Sequence, residues 1–180
     1  MDIKTHIIST AERIFDQHGF SGTSVDHLAR EAQVSTRTFY KHIGGKDALI
    51  TAVLRHREER FFNTLNTCNI DTLFLSLEVW LSNESNRGCL FLRALGDTGA
   101  EIPMVVEVVS EYHLKLHQKI SYLCQKHAKE NYNKELPEQI LILFEGAISS
   151  ASYLGKEAIH TAHRAALLLI KQASLSNKNT

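Results

Sequence analysis

Within "STRTFYKH", residues 35 to 42, side chains suited to gripping bases and phosphates crowd onto one short segment: Thr36, Arg37, Thr38, Tyr40, Lys41 and His42. An arginine can donate two hydrogen bonds to a guanine edge, and a threonine methyl can meet the thymine methyl. Tyrosine, lysine and histidine supply partners for phosphate oxygens. Phe39 faces inward with Val34, so the six polar side chains look outward from a rod that starts at the capping residue Ser35. A helix of this size enters the major groove with its N-terminal residues at base edges. Arg37 is the expected direct reader. Tyr40 and His42, further along, suit the phosphate backbone, as do Thr23 and Ser24 at the start of the preceding helix, and Lys46 begins the next helix as a clamp on the same strand.

Such a rod needs neighbours that hold it. Ile7, Ala11, Ile14 and Phe15 form an apolar stripe on a first helix, which "HGF" closes with Gly19 in a helix-ending position. Thr23 reads as the N-cap of a second helix, with Asp26 three residues on, and Val25, Leu28, Ala29 and Ala32 make its inner face. "QVS" then breaks the chain before Ser35 caps the third helix. Two short helices joined by a tight turn inside a three-helix unit follow the helix-turn-helix plan. The helical period continues to the C-terminal region, predicting helices over residues 2 to 18, 25 to 32, 36 to 42, 46 to 67, 71 to 84, 88 to 98, 103 to 129, 137 to 153 and 156 to 175, and a fraying tail "SNKNT". Pro103 and Pro137 suit first turns, where a missing N–H does no harm. No run alternates strictly enough to predict a strand.

The charge balance sets a limit. Lys plus Arg and Asp plus Glu are 20 each, so nothing in the net charge supports a DNA binder that works by charge alone. The argument for DNA rests on distribution: Arg37, Lys41 and Lys46 cluster on and beside the third helix, whereas Asp2, Glu12 and Asp16 lie on the first.

The run "ISTAERIFDQHGFSGTSVDHLAREAQVSTRTFYKHIGGKDALI" resembles the N-terminal domain of TetR-family (TetR/AcrR-type) transcriptional regulators, through the spacing "A..IF...GF..TSV..LA..A.VS..TFYKH...K.AL". The resemblance implies an all-α chain in which a three-helix helix-turn-helix DNA-binding domain, residues 1–47, precedes a six-helix ligand-binding and dimerisation domain, residues 48–180. It implies a repressor that binds a palindromic double-stranded operator as a homodimer and is released by a small molecule. By the same resemblance Thr23 and Ser24 meet phosphate, Thr36, Arg37 and Thr38 face bases, and Tyr40, His42 and Lys46 hold the backbone. Three positions depart from the pattern. Gln33 stands where the turn commonly has Gly, at a cost of about 1 kcal/mol if the backbone there is left-handed. Ile43 replaces an aromatic, and Gly45 replaces a Ser or Asn cap.

Beyond residue 48 the resemblance is architectural only. "PEQILILFEGAISSASYLGKEAIHTAHRAALLLIKQ" makes two helices, 137 to 153 and 156 to 175, the first apolar over most of its circumference. With Gly146, Ala147, Ser150 and Ala151 as small residues, they are the expected dimer interface. Between head and interface, the large apolar side chains Phe62, Leu65, Trp80, Phe91, Leu95, Met104, Val108, Tyr112 and Phe144, with polar Arg93 and His113, are the expected lining of an effector pocket. Arg93, a cation on apolar "CLFLRAL", is expected to reach water, an anionic ligand, Glu84 or Glu111. His113 and His117, four apart, share a helix face as metal ligands would, but a third ligand is not evident and no metal or cofactor is expected. Cys89, near a helix start, is the alternative sensing element, a redox-active or electrophile-sensing thiol.

No Gly-rich phosphate loop, nucleophile elbow or HExxH is present, so a metal-dependent helical enzyme built on Glu111, His113 and His117 is the remote alternative. Three cysteines, Cys68, Cys89 and Cys124, suit reduced thiols. The N-terminus "MDIKTHIIST" is unlike a secretory signal, and no apolar run reaches the length of a membrane span. The expected location is cytoplasmic, with no membrane partner.

Overall fold

The computed structural model describes residues 2–84, 87–128 and 134–175. Among the described residues there are nine helices and no strand: α1 (Ile3–His18), α2 (Val25–Glu31), α3 (Thr36–Ile43), α4 (Lys46–Thr64), α5 (Ile70–Asn83), α6 (Leu90–Thr98), α7 (Pro103–Ala128), α8 (Leu136–Leu154) and α9 (Lys156–Leu175). The expected helix end at 129 and the tail "SNKNT" lie outside the described residues.

Two helix bounds among the described residues differ from expectation by more than one residue, for local reasons. The fourth helix stops a turn before residue 67, where the Asn66 side chain accepts a hydrogen bond from the Cys68 N–H (3.0 Å) and competes with the helical backbone. The sixth begins at Leu90 rather than 88, because Gly88 takes a φ of 81°, outside the helical range.

The chain divides into two compact units, Met1–Arg60 with Leu90–Tyr112, and Phe61–Cys89 with His113–Thr180. The expected boundary after residue 47 falls two residues into α4.

In the first unit Ile7, Ala11, Ile14, Phe15, Leu28, Ala29, Ala32 and Phe39 are all buried, so the stripes expected on α1 and α2 and the inward Phe39 form one core. The Phe15 and Phe20 rings stack with centroids 4.8 Å apart. Gln33 does adopt the left-handed region, φ 54°, and the turn closes through Gln33 N–H to Arg30 O (3.0 Å) and Val34 N–H to Ala29 O (2.9 Å). Gly19 is required twice over: its φ is 78°, and an added Cβ would stand 2.8 Å from Asp97 Oδ2. Here α6 grips the α1–α2 turn, since the Phe20 N–H donates to Asp97 Oδ2 (2.8 Å) and the Ser21 hydroxyl donates to the Asp97 carbonyl.

In the second unit α8 packs along α9 through a turn at Gly155 (φ 60°), and α5 packs on α9. Asn69 and Thr72 form a reciprocal capping box that starts α5. Phe61, Phe74, Trp80 and Phe144 form an aromatic cluster, with centroid separations of 5.3 Å for Phe61 to Trp80 and 5.7 Å for Phe74 to Phe144. Among the described residues no helix is long and apolar enough to cross a membrane.

Candidate nucleic-acid interface

Eight residues make α3, and both ends are defined chemically. Ser35 Oγ accepts from the Thr38 N–H (3.0 Å) and shares a 2.8 Å hydrogen bond with Thr38 Oγ1, while Gly44, in the left-handed conformation at φ 93°, returns its N–H to Tyr40 O. With Phe39 wholly buried, Thr36, Arg37, Tyr40 and Lys41 are exposed and Thr38 and His42 are half-buried. The Tyr40 ring meets Phe39 edge-on at 5.8 Å. Among the described residues Arg37 and Lys41 have no hydrogen-bond or ion-pair partner, so both cations stand ready for an external acceptor.

Thr23 needs correction. Its hydroxyl is buried and donates to Gly19 O (2.9 Å), which ties the α1–α2 turn together and leaves no side-chain proton for a phosphate. The cap of α2 is Ser24, whose Oγ accepts from the His27 N–H at 3.2 Å. Ser24 is exposed, and capping uses only an oxygen lone pair, so its proton still points outward. Lys46 Nζ donates to Ser21 O (3.3 Å) and lines a polar recess of about 250 Å³ with Asp47, Asp97 and Glu101. An ammonium has three donors, and this contact uses one.

The electrostatics explain how a neutral chain presents cations. Glu12 is buried and receives Arg57 Nη1 (2.9 Å), Arg60 Nη2 and His56 Nδ1 (3.1 Å). Asp16, also buried, receives Arg93 Nη1 (3.1 Å), while Arg93 Nη2 donates to the Asp16 carbonyl (2.9 Å). Two acids of the first helix are thereby neutralised internally. Glu31 lies 3.8 Å from Arg13. Around α3, Arg37 and Lys41 have no ion-pair partner among the described residues, whereas Lys46 shares its recess with Asp47, Asp97 and Glu101, and Asp26 Oδ1 accepts from Thr36. The Asp2 carboxyl, which caps α1, is held below its ordinary range by the Lys4 backbone N–H.

Arg93 therefore does not pair with Glu84 or Glu111 as expected. Its partner is Asp16, and Glu111 instead receives Arg55. This charged framework was not anticipated from sequence as a unit. The available signal was the i, i+4 pair Glu12 and Asp16 beside the apolar stripe, together with the charge block "RHREER" in α4.

The expected effector residues fall into two groups. In the first unit, Phe91 and Tyr112 stack face to face (3.8 Å, 7°) and are buried with Val108, whereas Leu95 is half-buried and Met104 exposed. In the second, Trp80 and Phe144 join the aromatic cluster, Phe62 lies beneath Lys115 Nζ (4.4 Å), and Leu65 is half-buried just past α4. His113 and His117 do share a face of α7, yet each ring meets its own carboxylate on α8: Glu145 Oε1 at 3.2 Å and Glu138 Oε1 at 3.1 Å. Cys89 is half-buried just before α6, whereas Cys124 is buried and burial pushes its thiol up to about 11.

On α8 and α9 a shallow apolar groove of about 240 Å³ runs past Ile142, Leu143, Gly146, Ala147, Ser150, Leu154, Ala158 and Ala162. Ile142 in this groove is 70% exposed, and of the small residues expected at a dimer interface Gly146 is exposed and Ser150 half-buried, whereas Ala147 and Ala151 are buried within the chain.

Residues 7–53 match the family described as bacterial regulatory proteins, tetR family. The chain is 27% identical over 165 residues to YttP, a probable HTH-type transcriptional regulator of Bacillus subtilis (strain 168), covering 87% of this chain and 79% of that one. It is 34% identical over 59 residues to the HTH-type transcriptional regulator YuxN of the same strain, a match spanning 33% of this chain but only 20% of YuxN. Among solved structures, SCO4454, a TetR-family transcriptional regulator from Streptomyces coelicolor, superposes with a TM-score of 0.83 at 20% identity, over 96% of both chains.

Proposed function

We propose, from the match of residues 7–53 to the tetR family of bacterial regulatory proteins and the likeness of the fold to TetR-family regulators, that the chain is a ligand-released repressor that reads a palindromic operator as a homodimer. The observation that carries this reading is α3: a helix capped at both ends, anchored by Phe39, with Arg37 and Lys41 exposed and unengaged. Residues 1–47 are proposed as the reading head and 48–180 as the effector and dimerisation part. Arg37 reads a base edge with Thr36 and Thr38 beside it. Ser24, Tyr40, Lys41, His42 and Lys46 hold phosphates, Ser35 sets the start of the rod, and Thr23 acts only as an internal tie. A DNA-bound regulator of this bacterial family works in the cytoplasm, where its operator lies.

Two-fold association through α8 and α9 would bury Ile142 and Leu168 and pair two reading heads, as the half-sites of a palindrome, about 34–36 Å apart, require. For release, α4 is the proposed connector, since it begins at Lys46 and ends among residues such as Phe62, with Leu65 just beyond. An effector that prefers the released state would shift α4 and separate the heads. Moving that equilibrium from about 1:99 to 99:1 takes about 5.5 kcal/mol of differential binding.

Selection of bound genomic fragments yields the operator, and a titration at fixed salt then compares the parent with Arg37→Ala. The expected loss is about 1 to 3 kcal/mol of operator affinity with the unfolding midpoint unchanged. Unaltered affinity and unaltered sequence preference would remove Arg37 as a reader. Sedimentation showing a stable monomer at micromolar concentration would remove the dimer.

A further inference from the structure

Asp26 is a carboxylate on a surface that, in the function proposed above, approaches a polyanion. The ordinary uses of an acid in a first helical turn do not account for it. Ser24, not Asp26, caps α2. Arg30, placed at i+4 for an ion pair, donates instead to His27 Nδ1 at 2.8 Å. The favourable field at a helix start would serve an acid at any exposed site of that turn and calls for no partner on another helix. Yet Asp26 Oδ1 accepts the hydroxyl of Thr36, ten residues on, at 3.3 Å.

Thr36 is the first residue of α3, and the N-terminal residues of a recognition helix meet base edges. A hydroxyl carries one proton and two lone pairs. With its proton given to Asp26, Thr36 Oγ1 presents only lone pairs outward, beside a carboxylate that has only lone pairs. We propose that Asp26 and Thr36 together form an acceptor-only reading patch that selects cytosine at one position of each half-site. In the major groove only exocyclic amines donate, cytosine N4 and adenine N6; guanine O6 and N7 and thymine O4 accept and are refused. Adenine sets its N7 acceptor beside the amine and meets the patch with one repulsive contact, whereas cytosine does not. Arg37, next in sequence and unengaged, suits the guanine on the opposite strand of that pair. The charge of Asp26 also weakens binding to phosphate at random sites, which adds discrimination.

This inference rests on the DNA-reading function, and the test separates the two. Bound duplexes are selected from a randomised library with the parent, Asp26→Ala, Asp26→Asn and Thr36→Val, followed by titration at fixed salt against the recovered site and a scrambled duplex. The parent is expected to require cytosine at one symmetry-related position by roughly tenfold. Asp26→Ala and Thr36→Val should flatten preference at that same position and leave the others intact. Asp26→Ala alone should tighten binding to the scrambled duplex, and Asp26→Asn, which gains an amide donor, should move the preference toward adenine. Both residues are exposed, so melting temperatures should fall by no more than a few degrees, the small cost of losing an acid from a first helical turn. Preferences retained at every position in Asp26→Ala, with affinity raised equally for all duplexes, would reduce Asp26 to a bare charge and overturn the patch. Loss at different positions in the two variants would overturn it as well. A parent that binds without sequence preference sinks the underlying function, and that result appears before any variant is made.

Discussion

The two units join their helices by opposite means. In the first, buried charges meet: Glu12 ties α1 to α4 through Arg57 and Arg60, and Asp16 ties α1 to α6 through Arg93. In the second, rings and small side chains meet, with Phe61, Phe74, Trp80 and Phe144 inside and alanines along α8 and α9. Burial of apolar surface is non-directional, whereas a charged hydrogen bond fixes both distance and angle. A part that must set a reading helix against base edges gains from directional joints. A part proposed to associate with a copy and to shift around a ligand would gain from surfaces that repack. The exposure of Ile142, Tyr153 and Leu168 on α8 and α9 fits that second role.

The comparison breaks most easily in the aromatic cluster. Phe144 is wholly buried and lies within ring-contact range of both Phe61 and Phe74. Phe144→Ala should cost about 3 to 5 kcal/mol in denaturant unfolding, from lost transfer energy and the cavity left behind. A loss below about 1 kcal/mol would show that the second unit is held elsewhere.

Glu12→Ala should cost about 3 kcal/mol, because the carboxylate it removes accepts from Arg57, whose side chain is only 7% exposed, and from Arg60 and His56. The joint replacement of Glu12 by Leu and Arg57 by Met should recover much of that stability, since an apolar pair of similar volume often equals a buried ion pair. The sharper readout is operator binding. If directional joints set the pose of the head, the double variant regains stability without regaining full affinity. Recovery of both together would make the charged joints interchangeable with apolar ones and erase the contrast.

Most helix bounds were legible because capping and breaking chemistry is local: Ser35 and Gly44 define α3 from within their own neighbourhood. The outward face of α3 was legible for the same reason, once Phe39 was assigned inward. Thr23 and Ser24 were confused because both side chains can cap, and only packing decides which hydroxyl turns inside. For Arg93 the sequence offers water, an anionic ligand, Glu84 or Glu111, whereas its partner Asp16 is 77 residues away. Periodicity tells which face of α6 is apolar but not which helix lies across from it. The effector residues were the least legible, since a large apolar side chain has the same pattern whether it lines a cavity or fills a core. Phe91 and Tyr112, stacked at 3.8 Å, fill one.

A charged joint also exists in the second unit, and it tests whether burial rather than charge makes the difference. Glu78 on α5 meets Lys156 Nζ (3.0 Å) and His160 Nε2 (3.4 Å) on α9, but Lys156 is 64% exposed. The hydrogen bond from Lys156 holds the Glu78 carboxyl below its ordinary value of 4.5, against desolvation, with His160 adding to the effect. A depressed folded-state value means that the contribution is fully present above about pH 4.5 and is lost as the pH falls through the folded value. Glu78→Gln should therefore cost only about 0.5 kcal/mol at neutral pH, less in high salt, and the gap between variant and parent should close as the pH falls below 4.5 through the depressed folded value. In unfolding measured at fixed ionic strength, a gap that high salt left unchanged and that did not narrow at any pH below 4.5 down to acid unfolding would assign the cost to packing of α5 on α9 rather than to the ion pair, since the parent's carboxyl loses on acidification the charge that the variant never had.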